Sequence, residues 1–166
     1  ELKDLNLAQF IKIKVNRYQV GSDRISNAIG ITDNKFNYIV VDFGTATTFD
    51  VIVKNNYLGG IIAPGIKLSL NTLIKQASLI PPVNLTSISG ILGKNTISAV
   101  RSGFYWGYIG LIKNIIKKIT KQTRKKYKII FTGGLSNLFR KSIDSKVYIK
   151  SDLTIIGLLK VVSLVK

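Results

Sequence analysis

The chain has 166 residues, with 25 Lys or Arg against 8 Asp or Glu, and a formal net charge of +17. It contains no His, Cys or Met, which excludes a Ser-His-Asp triad, an imidazole base, a thiol nucleophile, a thiolate zinc site and a disulfide framework. With 46% hydrophobic residues it can bury a core of ordinary domain size, so the excess of positive charge does not make it a disordered polycation.

Phe10-Ile11-Lys12-Ile13-Lys14-Val15 alternates apolar and basic side chains, which predicts a half-exposed strand. Residues 20–31 have helical spacing in Ile25, Ala28 and Ile29. Three strands then follow closely: the apolar run 38–43, ending in Asp42-Phe43-Gly44, the Thr- and Val-rich 45–53, and 57–63 after the turn Lys54-Asn55-Asn56. Pro64-Gly65 opens a helix over 66–77, and Leu79-Ile80-Pro81-Pro82 closes it. A long helix is predicted over 96–120, with Ile109, Ile112 and Ile119 on one face. A buried strand at 128–131 stops at Thr132-Gly133-Gly134. A short helix, a short strand at 146–149 and a last helix from Asp152 complete the order.

Three antiparallel strands followed by alternating helix and strand match an α/β, ribonuclease-H-like (actin-like ATPase) lobe. A mixed five-stranded sheet flanked by helices is expected. Residues 1–36 read as the end of a preceding lobe and 37–166 as the lobe itself. Lacking Met, a chain that opens at Glu1 is expected to be a fragment or a processed product.

The carboxylates are Glu1, Asp4, Asp23, Asp33, Asp42, Asp50, Asp144 and Asp152. Asp33 sits in a turn-like stretch, Asp144 in a loop between Ser142 and Ser145, and Asp4 near the start. Acid–base or cation chemistry therefore falls to Asp23, Asp42, Asp50 and Asp152. In Asp42-Phe43-Gly44-Thr45-Ala46-Thr47-Thr48 a carboxylate ends a buried strand, a Gly turns the chain, and hydroxyls follow. Such a hairpin can face phosphate oxygens and a counter-cation, or be an ordinary turn. Thr132-Gly133-Gly134 likewise reads as a close backbone approach to a ligand or as a plain strand-to-helix turn. Gly21-Ser22-Asp23-Arg24 opens a helix, where an Asp is commonly a cap and an Arg a surface residue. Gly59-Gly60 and Pro64-Gly65 read as turns framing a strand.

The Lys-rich run 113–128 reads as a solvated basic face, with few interleaved aromatics and none of the motifs of nucleic-acid recognition. The apolar stretch 153–165 contains Lys160 and is shorter than the roughly 20 residues of a membrane span. No nucleic-acid or membrane partner is expected, and the lack of Cys fits a reducing cytoplasm.

In combination these segments resemble one family, the type III pantothenate kinases of the actin-like ATPase superfamily. The matching residues are Gly21 to Arg24, Asp42 to Asp50, Gly59-Gly60-Ile61-Ile62-Ala63-Pro64-Gly65, Ala77-Ser78-Leu79-Ile80-Pro81, Gly93-Lys94-Asn95-Thr96, Ser102-Gly103, Thr132-Gly133-Gly134 and Asp152-Leu153 with Gly157-Leu158. The resemblance implies ATP-dependent phosphorylation of pantothenate, the first step of coenzyme A synthesis. It implies Asp23 as proton acceptor, Gly21, Ser22, Asp23, Arg24 and Thr96 at the pantothenate site, and Gly44, Thr45, Thr47, Gly133 and Gly134 at ATP. It implies Asp42 at a monovalent cation (potassium or ammonium), magnesium with the nucleotide, and a homodimer. The family's opening D-x-G-N-T turn has no match here, and Lys14 and Arg17 stand where Tyr and Pro are frequent. The chain alone is therefore expected to have little kinase activity. Another actin-like phosphotransferase, or a non-catalytic homologue on the same fold, are the alternatives.

Overall fold

A computed structural model describes residues 2–144 and 146–163. Glu1, Ser145 and 164–166, which include the end of the apolar stretch 153–165, lie outside the described residues. The elements are β1 (Lys12–Ile13), α1 (Ser22–Ile31), β2 (Asn37–Phe43), β3 (Ala46–Val53), β4 (Asn56–Pro64), α2 (Ile66–Gln76), α3 (Thr96–Thr123), β5 (Lys128–Gly133), α4 (Ser136–Arg140), β6 (Val147–Ile149) and α5 (Leu153–Val162). Among the described residues they build one sheet in the order β1-β4-β3-β2-β5-β6, with β2, β3 and β4 antiparallel and β5 and β6 parallel to β2.

Alternation along the strands sorts the core into two layers. Ile39, Val41 and Phe43 of β2, Phe49 and Val51 of β3, and Ile129 and Phe131 of β5 pack against α3 through Tyr105, Ile109, Ile112 and Ile119. Tyr38, Val40, Ile52 and Ile130 face the other way, onto Ile25, Ala28 and Ile29 of α1 and Leu153 and Val161 of α5. The central strands are buried on both faces, so they read as apolar runs rather than as clean alternation.

The sheet has six strands, not the expected five. Lys12 and Ile13 add to the open edge of β4, parallel to it, through Lys12 N–H to Asn55 O (2.8 Å) and Lys14 N–H to Tyr57 O (2.9 Å). An unpaired edge strand offers a row of donors and acceptors, and these two residues satisfy part of it. Only two of the six alternating residues 10–15 form strand; Asn16 caps a 3-10 turn at Arg17–Gln19.

Gly59 and Gly60 are not turns. They lie inside β4, where Val51 pairs with Gly59 and Ile52 with Tyr57, leaving Leu58 as the extra residue of a β-bulge. Gly59 has φ 120°, a conformation that L side chains avoid, which explains a glycine at the bulge. The long helix α3 starts at a capping box: Asn95 accepts from Ser98 N–H (2.9 Å), and Ser98 Oγ accepts from Asn95 N–H (3.1 Å).

Candidate functional site

Parity places a polar belt on the α1 face of the sheet. The register pairs Asp42 with Thr48 and with Thr132, and Val40 with Asp50, so Asp42, Thr48, Asp50 and Thr132 share one face. α1 lies over that face with Asp23, Arg24 and Asn27. At the carboxyl ends of β2 and β4 the belt opens into a cleft of about 510 Å³, where open α/β sheets carry ligands. Asp23 and Asp42 line it, with Gly44, Thr45 and Thr48 of the hairpin, Ile62, the cross-strand partner of Thr48, and Pro64 and Leu68.

Asp23 is exposed at the second position of α1, and a Cβ at Gly21 would stand 2.5 Å from its Oδ1, so the carboxylate lies over the helix start. Its side chain does not cap the helix; Gly21 is the N-cap, without a side-chain bond. Asp42 is half-buried. Its Oδ2 accepts from Asn27 Nδ2 (3.0 Å), and Asn27 Oδ1 in turn accepts from Thr154 Oγ1 (2.7 Å). Gly133, at φ 84°, closes the other side: a Cβ there would stand 2.6 Å from Asp42 Oδ1. Gly134 is exposed with open space around its Cα. Gly65 lets the start of α2 approach the hairpin, since a Cβ would collide with the Thr45 carbonyl.

Burial pushes the Asp42 carboxyl above the ordinary carboxylate range; the Asn27 bond works against this, and the charge of Asp23 adds to it. A carboxyl raised in the folded state binds its proton more tightly there than in the unfolded chain. Its contribution to stability is therefore full below about pH 3.9 and is lost as pH rises through the raised native value. Asp42→Asn is expected to be more stable than the unsubstituted protein at neutral pH, with the difference fading below about pH 4. Thermal unfolding of both proteins across this pH range checks it.

A cation relieves the same repulsion. Among the described residues no three or more His, Cys, Asp or Glu side chains cluster as metal ligands. Asp23 and Asp42 are the carboxylates of this cleft, too few for an all-protein divalent cage, which gathers several, and better suited to a singly charged ion.

The remaining candidates are placed differently. Arg24 is only 9% exposed and does not line the cleft. Its Nε donates to Asp50 Oδ1 (2.8 Å), with Nη2 2.6 Å from the same oxygen. Tyr57 donates its hydroxyl to that oxygen at 2.7 Å. Burial alone would lower the Arg24 pKa, but the hydrogen bond and charge of Asp50 outweigh it and raise it. Burial raises the Tyr57 hydroxyl, and the Asp50 charge adds to this. Thr47 is fully buried on the α3 face, and its Oγ1 has no hydrogen-bond partner, whereas Thr48 faces the cleft. Thr96 is exposed at the start of α3 in a separate depression with Ser78, Leu79, Ile80 and Pro81. Sequence reasoning left out Asn27, Thr48 and Thr154; strand parity from Asp42 would have found Thr48.

A mixed sheet in this order, with the Asp42-Phe43-Gly44-Thr45 hairpin and the Gly133-Gly134 turn at the carboxyl ends of its strands, has the ribonuclease-H-like fold of the actin-like ATPases. The structure resembles a 2-dehydro-3-deoxygalactonokinase protein from Sinorhizobium meliloti (TM-score 0.63, 11% identity, 86% of this chain and 58% of that one), a likeness of fold alone. It also resembles a Baf family transcriptional activator from Campylobacter jejuni (TM-score 0.67, 25% identity, 98% of this chain and 75% of that one). Residues 3–118 match the profile of the type III pantothenate kinases. The type III pantothenate kinase of Pelagibacter ubique is 58% identical over the whole of this chain and 67% of its own length. The chain belongs to the type III pantothenate kinase family. It spans about 55% of the length of other curated relatives of the same description. Among the described residues no helix is long and apolar enough to cross a membrane.

Proposed function

We propose that the full-length protein transfers a phosphoryl group from ATP to the hydroxyl of pantothenate, giving 4'-phosphopantothenate for coenzyme A synthesis. One observation carries this reading: Asp23 and Asp42, from a helix start and a strand end, line one cleft beside the Gly44-Thr45 turn. Phosphoryl transfer asks for positioning, cations and a proton acceptor, none of which needs His or Cys. Asp23 accepts the proton of the pantothenate hydroxyl; its exposure and lack of a capping role leave it available. Gly44, Thr45 and the Thr47 backbone present the hairpin to ATP, with Gly133 and Gly134 on the opposite side. Asp42 holds potassium or ammonium, and magnesium accompanies the nucleotide. A bound cation supplies countercharge to the transferring phosphate.

Gly21, Ser22, Asp23 and Thr96 belong to the pantothenate site, with the Arg24 side chain behind it on Asp50. Residues 1–36 lead out of a first lobe whose remainder completes the nucleotide cleft, and within them β1 and α1 pack onto the sheet of the second lobe. The protein acts in the cytoplasm; it acts as a homodimer, and this second reading is supported by the apolar depression that Leu73, Val100, Phe104 and Leu111 line on α2 and α3. Label transfer from ATP to pantothenate by the full-length protein tests the reaction. Product formation stimulated by potassium or ammonium is expected, with the stimulation lost in Asp42→Asn. Absence of labelled 4'-phosphopantothenate would overturn the reading.

A further inference from the structure

We propose that Arg24, Asp50 and Tyr57 form a buried anchor that positions Asp23 in the cleft, Arg24 acting through Asp23 rather than by meeting substrate. The proposal rests on the reading of Asp23 as the proton acceptor.

Three elements meet at one carboxylate oxygen. Asp50 of β3 is 0% exposed, and its Oδ1 takes Arg24 Nε from α1 and the Tyr57 hydroxyl from β4. Thr48 Oγ1, whose residue lines the cleft, lies 3.5 Å from the other oxygen. The guanidinium lies over Gly60, which pairs with Asp50 across the strands; a Cβ at position 60 would collide with Arg24 Nη2. Gly60 thus leaves the space that the anchor fills. Nη2 lies close to Asp50 Oδ1 yet makes no well-angled hydrogen bond, so charge and enclosure hold it there.

Arg24 directly follows Asp23, at the third position of α1. Fixing the Arg24 side chain to the sheet therefore fixes the helix turn that carries Asp23, at the end of α1 that faces Asp42. Two further facts set Arg24 apart from a substrate ligand. Its guanidinium does not line the cleft, and its ion-pair partner is a residue of this same chain. The charge of Asp23 also acts on Arg24. Removing the Asp50 charge would leave Arg24 free to turn toward Asp23 and pair with the group that must receive the proton. A misplacement of about 1 Å at a reacting group can lower a rate about a hundredfold.

Three variants of the full-length protein test this. Asp50→Asn is expected to lower kcat at least about tenfold while KM for pantothenate and ATP stay within about threefold, because positioning is lost and binding is not. Tyr57→Phe keeps the ion pair and loses one donor, so it should fold normally and lower kcat about two- to fivefold. The double variant Arg24→Gln with Asp50→Asn leaves no unpaired buried charge, so the melting temperature should recover while kcat stays low. Crystal structures of the unsubstituted protein and the double variant give a readout without substrate: the Asp23 carboxylate should move by about 1 Å or more relative to Asp42. An unmoved Asp23 would overturn the proposal, as would a KM for pantothenate that rises while kcat holds, or a kcat that recovers together with the melting temperature. A full-length protein that does not phosphorylate pantothenate at all would instead fail the reading of the reaction, and the Asp23 displacement would still decide the anchor.

Discussion

Replacing Asp23 by Asn in the full-length protein is expected to lower kcat for pantothenate phosphorylation about a hundredfold or more, the range spanned by positioned general bases. KM for ATP should change less than about threefold, because the hairpin proposed to face the nucleotide is untouched. Stability should barely move. Asp23 is exposed and does not cap its helix; a carboxylate in a first helical turn stabilises the helix by roughly 0.3–1 kcal/mol, which Asn gives up. The loss would therefore be chemical rather than structural. The neighbouring carboxylate supplies the contrast. Asp42→Asn removes the proposed cation partner, so it should abolish stimulation by potassium or ammonium and stabilise the protein at neutral pH. Asp23→Asn should retain that stimulation on whatever activity remains. Rates and melting temperatures of the two variants, with and without potassium, separate the roles. Full activity in Asp23→Asn would remove this residue from the chemistry.

The parts of this fold that were legible in the sequence are those where local pattern and tertiary outcome agree. The apolar run ending in Asp42, the turn at Lys54 and the helical period of α3 each follow from side chains within a few residues of one another. What escaped depends on register and on partners far along the chain. The strand at Lys12 and Ile13 was visible as alternation, but its place on the edge of β4 depends on an open edge more than forty residues away. The glycines at 59 and 60 look like a turn because glycine permits turns; their use in a bulge and in making room for a guanidinium shows only once Asp50 and Arg24 are brought together. Thr47 and Thr48 are adjacent hydroxyls in the sequence, yet a period of two sends them to opposite faces. Thr48 thereby joins Asp42 in the cleft, while Thr47 is enclosed by the core around Phe43 and Phe49. Arg24, an expected surface residue, is buried because its counter-ion waits 26 positions later.

The same dependence on distant partners gives the largest expected stability effect, at a residue outside the cleft. Gly157 of α5 packs on α1 so closely that a Cβ would collide with the carbonyl of Ser26. Around this contact Ser26 Oγ donates to Thr154 O (2.6 Å), and Thr154 Oγ1 donates to Asn27, which holds Asp42. Alanine at 157 would gain up to about 1 kcal/mol in helix propensity. Against that, the obstacle is backbone, which cannot rotate aside, and overpacking typically costs about 1–3 kcal/mol. The collision is severe enough to place the cost at or above the upper end. Gly157→Ala is accordingly expected to lose about 2 kcal/mol or more, seen as a melting temperature lower by roughly 4–8 °C. Gly110→Ala, on the exposed side of α3 with nothing within 4 Å of its Cβ, carries the propensity gain without the collision and should be neutral or stabilising. Separating α5 from α1 also slackens the chain of bonds from Thr154 through Asn27 to Asp42. In Gly157→Ala the proposed activation by potassium should therefore require a higher ion concentration, measurable as a shifted half-saturation in the folded protein below its melting transition. A variant that melts lower yet keeps the same potassium response would show that Asp42 is held by the sheet alone, without help from α5.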